Sequence, residues 1–232
     1  MRVLIACGGT GGHINPGLAI ADIIKSKYPD TEFLFAGTPK GMEAKLVPAA
    51  GYRFETIKVA GFQRRISLEN IGRNAKAVAY LITSGRRAKQ IIEGFKPDIA
   101  IGTGGYASGP VIRKAARMGI PTAIHEQNAY PGVTNKLLSK EVDHVMLTVK
   151  EALNFMDGSK FEHTVTGLPV RSNIKNSISR AEARKKLGFN DDFTILSFGG
   201  SLGAGCINET MTEAIKWHVG KDLAINHIHG YG

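Results

Sequence analysis

Short apolar runs alternate with amphipathic stretches along this chain of 232 residues. The apolar runs are rich in Val, Ile, Leu, Phe and Ala. They predict strands over Val3–Ala6, Glu32–Ala36, Phe54–Val59, Ile99–Gly102, Thr122–His125, His144–Leu147 and His163–Thr166. Between them, apolar positions at three- and four-residue steps predict helices over Pro16–Lys27, Met42–Ala50, Leu68–Ile92, Gly109–Met118, Val133–Ser139 and Lys150–Met156. In the longest, Leu68, Ile71, Ala75, Val78, Ile82 and Ile91 form the apolar stripe. Strand alternating with helix is the α/β pattern of a parallel sheet wrapped by helices.

A boundary is expected near Gly167-Leu168-Pro169-Val170-Arg171, where glycine and proline punctuate the end of a strand. A second unit then begins. Ser179 followed by Glu182 forms a capping box for a helix over Arg180–Leu187, Phe193–Phe198 reads as a strand, Ala204–Val219 as its helix and Asp222–His227 as the next strand. The sequence ends at Gly232, about 60 residues past the boundary, where a second domain of this type takes ~100 to 150. The expected organisation is a complete first domain over 1–166 and the beginning of a second over 167–232.

Composition narrows the classes. Cys7 and Cys206 are the only cysteines, far apart and without ligand spacing, which argues against a disulfide framework or a zinc site and fits a reducing cytoplasm. The apolar start Val3-Leu4-Ile5-Ala6-Cys7 is too short for a signal-peptide core. No apolar stretch approaches the ~20 residues of a spanning helix. The net charge of +10 and pI of about 9.6 favour an anionic partner, with nucleic acid, an anionic lipid surface and phosphorylated substrates all open. Part of the excess is local: between Gly61 and Lys96 stand Arg64, Arg65, Arg73, Lys76, Arg86, Arg87, Lys89 and Lys96 against Glu69 and Glu93.

Three strand-to-helix junctions carry glycine clusters: Gly8-Gly9-Thr10-Gly11-Gly12-His13, Gly102-Thr103-Gly104-Gly105-Tyr106 and Gly199-Gly200-Ser201-Leu202-Gly203-Ala204. Glycine permits a tight turn and close approach of a ligand, and the N–H groups and dipole at the next helix start attract phosphate. Any one of these loops could be a packing turn; three together point to a phosphate-bearing ligand. The first cluster departs from the dinucleotide fingerprint, with Ile14 where the third glycine belongs and Gly37 rather than an acid after the second strand. A nicotinamide oxidoreductase is therefore a runner-up. No cluster is followed by the Lys-Ser or Lys-Thr of a P-loop.

With these loops, Ile14-Asn15-Pro16-Gly17-Leu18-Ala19, Ala107-Ser108-Gly109-Pro110, His125-Glu126-Gln127-Asn128 and Gly167-Leu168-Pro169-Val170-Arg171 complete five motifs in a fixed order. Together they resemble the peptidoglycan glycosyltransferases that convert lipid I to lipid II. Two departures stand out: Leu168 replaces the family's usual asparagine before the proline, and the region holding most of the sugar-nucleotide pocket is absent.

The resemblance implies a GT-B architecture, two Rossmann-like domains facing a cleft, with the first complete here and the second begun. It implies an inverting transfer of N-acetylglucosamine from UDP-N-acetylglucosamine to undecaprenyl-diphosphate-linked muramyl pentapeptide, at the cytoplasmic face of the cell membrane, without metal, cofactor or nucleic acid. A non-catalytic acceptor-binding fragment is the alternative. His13 is a candidate base or phosphate donor, or else only orders its loop. Glu126 is the rival base, or else a carboxylate bound to loop amides. The resemblance assigns Thr10, Gly11, Gly12, Asn128, Arg171 and Ser201 to the donor, and Gly104, Gly105, Tyr106 and Ser108 to the acceptor diphosphate. Arg171 can pair bidentately with phosphate. The basic Leu68–Ile92 helix, with Phe62, Ile66 and Leu81, either covers the sheet or also touches an anionic membrane surface. His144, His163, His218, His227 and His229 are read as structural.

Overall fold

A computed structural model describes residues 1–59, 83–156, 161–171, 174, 178–200 and 203–232. They fall into two compact units, Met1–Lys175 and Asn176–Gly232. In the first, strands β1 (Arg2–Cys7), β2 (Glu32–Gly37), β3 (Arg53–Thr56), β4 (Ile99–Gly104), β5 (Thr122–Glu126), β6 (His144–Leu147) and β7 (Glu162–Val165) form one parallel sheet in the order β3-β2-β1-β4-β5-β6-β7. Helices α1 (Gly11–Lys27), α2 (Glu43–Ala49), α3 (residues 83–95), α4 (Ser108–Arg117) and α5 (Val133–Leu138) connect them.

Both faces of the sheet are covered, so its central strands are apolar throughout rather than alternating. Val3, Ile5 and Cys7 of β1 pack with Ile14 and Leu18 of α1 and with Phe33 and Phe35 of β2. Leu4 and Ala6 pack on the other side with Ile91 and Ile92 of α3 and Val111 and Ile112 of α4. Gly17 lets α1 lie close to the sheet: a Cβ there would stand 3.2 Å from Thr103 Oγ1 and 3.3 Å from Ile5. That close approach sets the N-terminus of α1 directly over the end of β1.

Several elements differ from the sequence reading. The strand expected over Phe54–Val59 is the shorter β3, and Lys150–Met156 is a 3-10 turn over Lys150–Phe155. Most of the expected Leu68–Ile92 helix, with Phe62, Ile66, Leu81, Arg64, Arg65, Arg73 and Lys76, lies outside the described residues.

The second unit contains α6 (Arg180–Leu187), β8 (Phe193–Phe198), α7 (Gly205–Gly220) and β9 (Ile225–Gly230), with β8 and β9 paired in parallel. The capping box on α6 is present in both directions, Ser179 to Glu182 and back. The last strand starts later than expected because Asp222, at φ 51°, makes a left-handed turn after α7.

Candidate active site

The strand order reverses between β1 and β4, and in open parallel sheets that reversal opens a crevice beyond the strands' C-terminal ends. The loops after β1, β4 and β5 meet there. A Cβ on Gly105 would fall 2.1 Å from the Gly8 carbonyl oxygen, and one on Gly104 would fall 2.6 Å from His13 Nδ1. Both glycines have positive φ, 83° and 102°. Their lack of side chains allows the first two glycine loops to touch backbone to backbone, with the His13 ring laid against the end of β4.

A register shift in the β1–β4 pairing makes Thr103 the extra residue between Gly102 and Gly104. Such a bulge re-aims a side chain. Here the Thr103 hydroxyl donates to the His13 carbonyl at 2.7 Å. The His13 ring is half-buried, with Nδ1 2.9 Å from Gln127 Oε1. Its Nε2 has no protein partner among the described residues.

Gln127 ties three strand ends together. Its amide nitrogen lies 2.9 Å from the Thr103 carbonyl, 2.9 Å from the His125 carbonyl and 3.0 Å from His125 Nδ1. His125 is fully buried, and its Nε2 is 3.1 Å from the Gly167 carbonyl. Burial lowers its pKa, outweighing the opposing effects of the Gly167 bond and the nearby Glu126, so the ring is held neutral.

Glu126 is a carboxylate ringed by hydrogen-bond donors. It is 1% exposed. Oε1 accepts from the backbone and side-chain nitrogens of Asn128 at 2.9 and 3.0 Å, and Oε2 from Gly132 N and Asn135 Nδ2 at 3.0 and 2.9 Å. Four donors on a buried carboxylate brace the β5–α5 loop. Asn128 is part of that brace through its amide nitrogen.

Thr10, Gly11 and Gly12 open α1. Thr10 is the extended N-cap residue, its carbonyl accepts from the His13 and Ile14 amides, and its side chain makes no cap bond. The Gly11 and Gly12 amides have no acceptor among the described residues, and no acid stands in the first turn. They are the N–H groups open to an anion. Gly9 is different: its amide donates inward to Glu43 Oε2 at 3.2 Å.

Glu43, which the sequence reading did not single out, is fully buried. It also accepts from the Thr38 amide at 2.8 Å and the Thr38 hydroxyl at 2.6 Å. Side chains on Gly8, Gly37 or Gly41 would occupy its place. Burial, with a smaller contribution from Glu43, pushes the Cys7 thiol up to about 12 and leaves it inert.

Ser108, Tyr106 and Arg171 stand in three different settings. Ser108 is completely buried, and its hydroxyl packs so tightly under β4 that a Cβ on Gly102 would stand 2.5 Å from it. Tyr106 beside it is 64% exposed. Arg171 Nε lies 3.7 Å from Asp22 Oδ2, nine residues along α1 from His13, or about 13 Å at 1.5 Å per residue. Asp22 also accepts from the Tyr52 hydroxyl at 2.7 Å. Ser201 lies outside the described residues.

The model of the glycosyltransferase family 28 N-terminal domain matches residues 3–147, which include every strand end of this site. The chain belongs to this family. Among curated relatives, one from Acetivibrio thermocellus is 50% identical across all of this chain and 61% of its own length, and one from Bacillus cytotoxicus is 41% identical across 99% and 62%. Both are named UDP-N-acetylglucosamine--N-acetylmuramyl-(pentapeptide) pyrophosphoryl-undecaprenol N-acetylglucosamine transferase. The chain thus spans about three fifths of the length of these relatives. A crystal structure of Acinetobacter baumannii MurG is 28% identical and superposes with a TM-score of 0.65 over all of this chain and 60% of that one. A UDP-GlcNAc 2-epimerase from Neisseria meningitidis, 13% identical with a TM-score of 0.60, shares the fold alone. The family 28 membership sets aside the nicotinamide reading.

Proposed function

We propose that this chain carries the acceptor side and the general base of an inverting transferase. The enzyme moves N-acetylglucosamine from UDP-N-acetylglucosamine to the 4-hydroxyl of muramyl pentapeptide on undecaprenyl diphosphate. The supporting observation is His13: it stands at the open N-terminus of α1 with Nδ1 occupied by Gln127 and Nε2 unengaged among the described residues. In the reaction, Nε2 takes the proton of the acceptor hydroxyl as that oxygen bonds the anomeric carbon. The bond from that carbon to the diphosphate breaks with its electron pair leaving on UDP, and the configuration inverts. The Gly11 and Gly12 amides offer hydrogen bonds and positive potential to a diphosphate.

The same reading includes a peripheral position on the cytoplasmic face of the membrane. No helix among the described residues is long and apolar enough to cross one. Tyr130, Val133 and Leu137 are exposed, and Lys136 Nζ is 4.0 Å from the Tyr130 ring centroid. Apolar side chains beside a cation suit an anionic lipid surface, and the basic stretch around Arg64 to Lys96 adds attraction.

The test joins this chain to the length of a relative that it does not span and measures turnover. His13→Ala should lower kcat by about a hundredfold or more, the usual size of a general-base contribution, with donor KM nearly unchanged. Loss of a contact equal in ground and transition states would raise acceptor KM instead. A change of less than about threefold in both constants, ~0.7 kcal/mol, would reduce His13 to ordering its loop.

A further inference from the structure

We propose that Gln127 is a positioning residue that fixes which ring nitrogen of His13 carries the proton, leaving Nε2 bare to accept one from the attacking hydroxyl. The inference rests on the base role of His13 given above. It begins with the orientation of the Gln127 amide. Its nitrogen faces two backbone carbonyls, of Thr103 and His125, and the His125 Nδ1 lone pair, all within 3.0 Å. Turning the amide over would set its oxygen against two carbonyl oxygens and leave those acceptors without a donor, a costly arrangement at a partly buried site.

The oxygen of Gln127 therefore faces His13, 2.9 Å from Nδ1. An amide oxygen has no hydrogen to give, so Nδ1 must carry the proton. A neutral imidazole has only one, so Nε2 holds a lone pair. The next ring agrees with this direction. His125 Nε2 lies against the Gly167 carbonyl, which also only accepts, so His125 is protonated there and its Nδ1 receives the Gln127 amide. Every donor in the run from Gly167 to His13 meets an acceptor in this one arrangement.

The Thr103 bulge and the bare Gly104 hold the rest of the geometry. Thr103 fixes the His13 backbone through its hydroxyl and offers its own carbonyl to Gln127. Gly104 leaves room for the ring. Gln127 touches no reacting atom and acts only through His13.

Long-range proton–nitrogen correlation spectra of this chain at pH 9, where an imidazole is neutral, read the tautomer directly, with His13→Gln identifying the signal. The Nδ1–H form of His13 should exceed the Nε2–H form about tenfold, the ratio that one hydrogen bond of ordinary strength supports. Gln127→Leu should lose most of that excess. A purely structural Gln127 would alter stability and leave the ratio alone. An Nε2–H ring in the unsubstituted chain overturns the proposal, as does a ratio unchanged in Gln127→Leu. If that variant does not fold, the unsubstituted spectrum decides. Turnover plays no part in this measurement, so failure of the transferase reading and failure of the tautomer inference are seen separately.

Discussion

At Gly105 a single methyl group would separate the two glycine loops. The Cβ of Gly105→Ala would lie 2.1 Å from the Gly8 carbonyl oxygen, a backbone atom that cannot swing aside, and φ is 83°. Gly51 has almost the same φ, 82°, with nothing within 4 Å of a Cβ. Left-handed strain costs about 1 to 2 kcal/mol at either place, and only Gly105 adds the collision. Urea unfolding should show Gly105→Ala less stable by about 3 to 5 kcal/mol and Gly51→Ala by about 1 to 2. Equal losses would mean that the loops are not in contact. The glycine clusters were readable as loops because glycine punctuates a strand-to-helix turn in any sequence. What they hold was less readable. Glu43 stands 34 residues from Gly9 and shows its role only when β1 and β2 lie side by side. The resemblance assigned Ser108 to the acceptor diphosphate, and the first turn of α4 points its hydroxyl back under β4.

The β5–α5 junction shows the same division at the scale of an element. Strand β5 was legible from Thr122 to His125 because a buried parallel strand is apolar or neutral on both faces. The motif His125-Glu126-Gln127-Asn128 at its end left two open roles for Glu126. Distinguishing them required Gly132 and Asn135, six and nine residues away, whose nitrogens converge on Oε2. Glu126→Gln tests the brace. An amide nitrogen would replace one acceptor oxygen and face two of the four donors, leaving buried groups unpaired at about 1 to 3 kcal/mol. Urea unfolding should show a loss of about 2 to 4 kcal/mol. A variant that stays fully stable but loses turnover would restore Glu126 as the base. The elements hardest to read were those whose ends depend on one residue's conformation. Asp222 delays β9 through a left-handed φ that its side chain does not announce.

On the scale of the whole chain, the described residues of the first unit form a seven-stranded sheet and those of the second two strands with two helices. A two-stranded sheet is marginal by itself, and Phe193, Leu196, Phe198, Trp217 and Val219 are each more than half exposed. The alternation of strands and helices put the boundary at 166/167, and the compact units divide at 175/176. The placing of Arg171 beside Asp22 was not visible, because a charge at a chain link carries no periodicity to say which element it meets. These features bear on the donor. Of the groups assigned to it, Gly11 and Gly12 keep open amides at α1, Arg171 is engaged with Asp22, and the chain covers about three fifths of its curated relatives. Two open amides at a helix start attract a diphosphate by roughly 1 to 2 kcal/mol, far from the ~8 kcal/mol of a micromolar complex. Titration calorimetry of this chain with UDP-N-acetylglucosamine should therefore show a Kd weaker than about 1 mM. A micromolar Kd would mean that these 232 residues already hold the donor pocket and that donor and acceptor have been assigned to the wrong units.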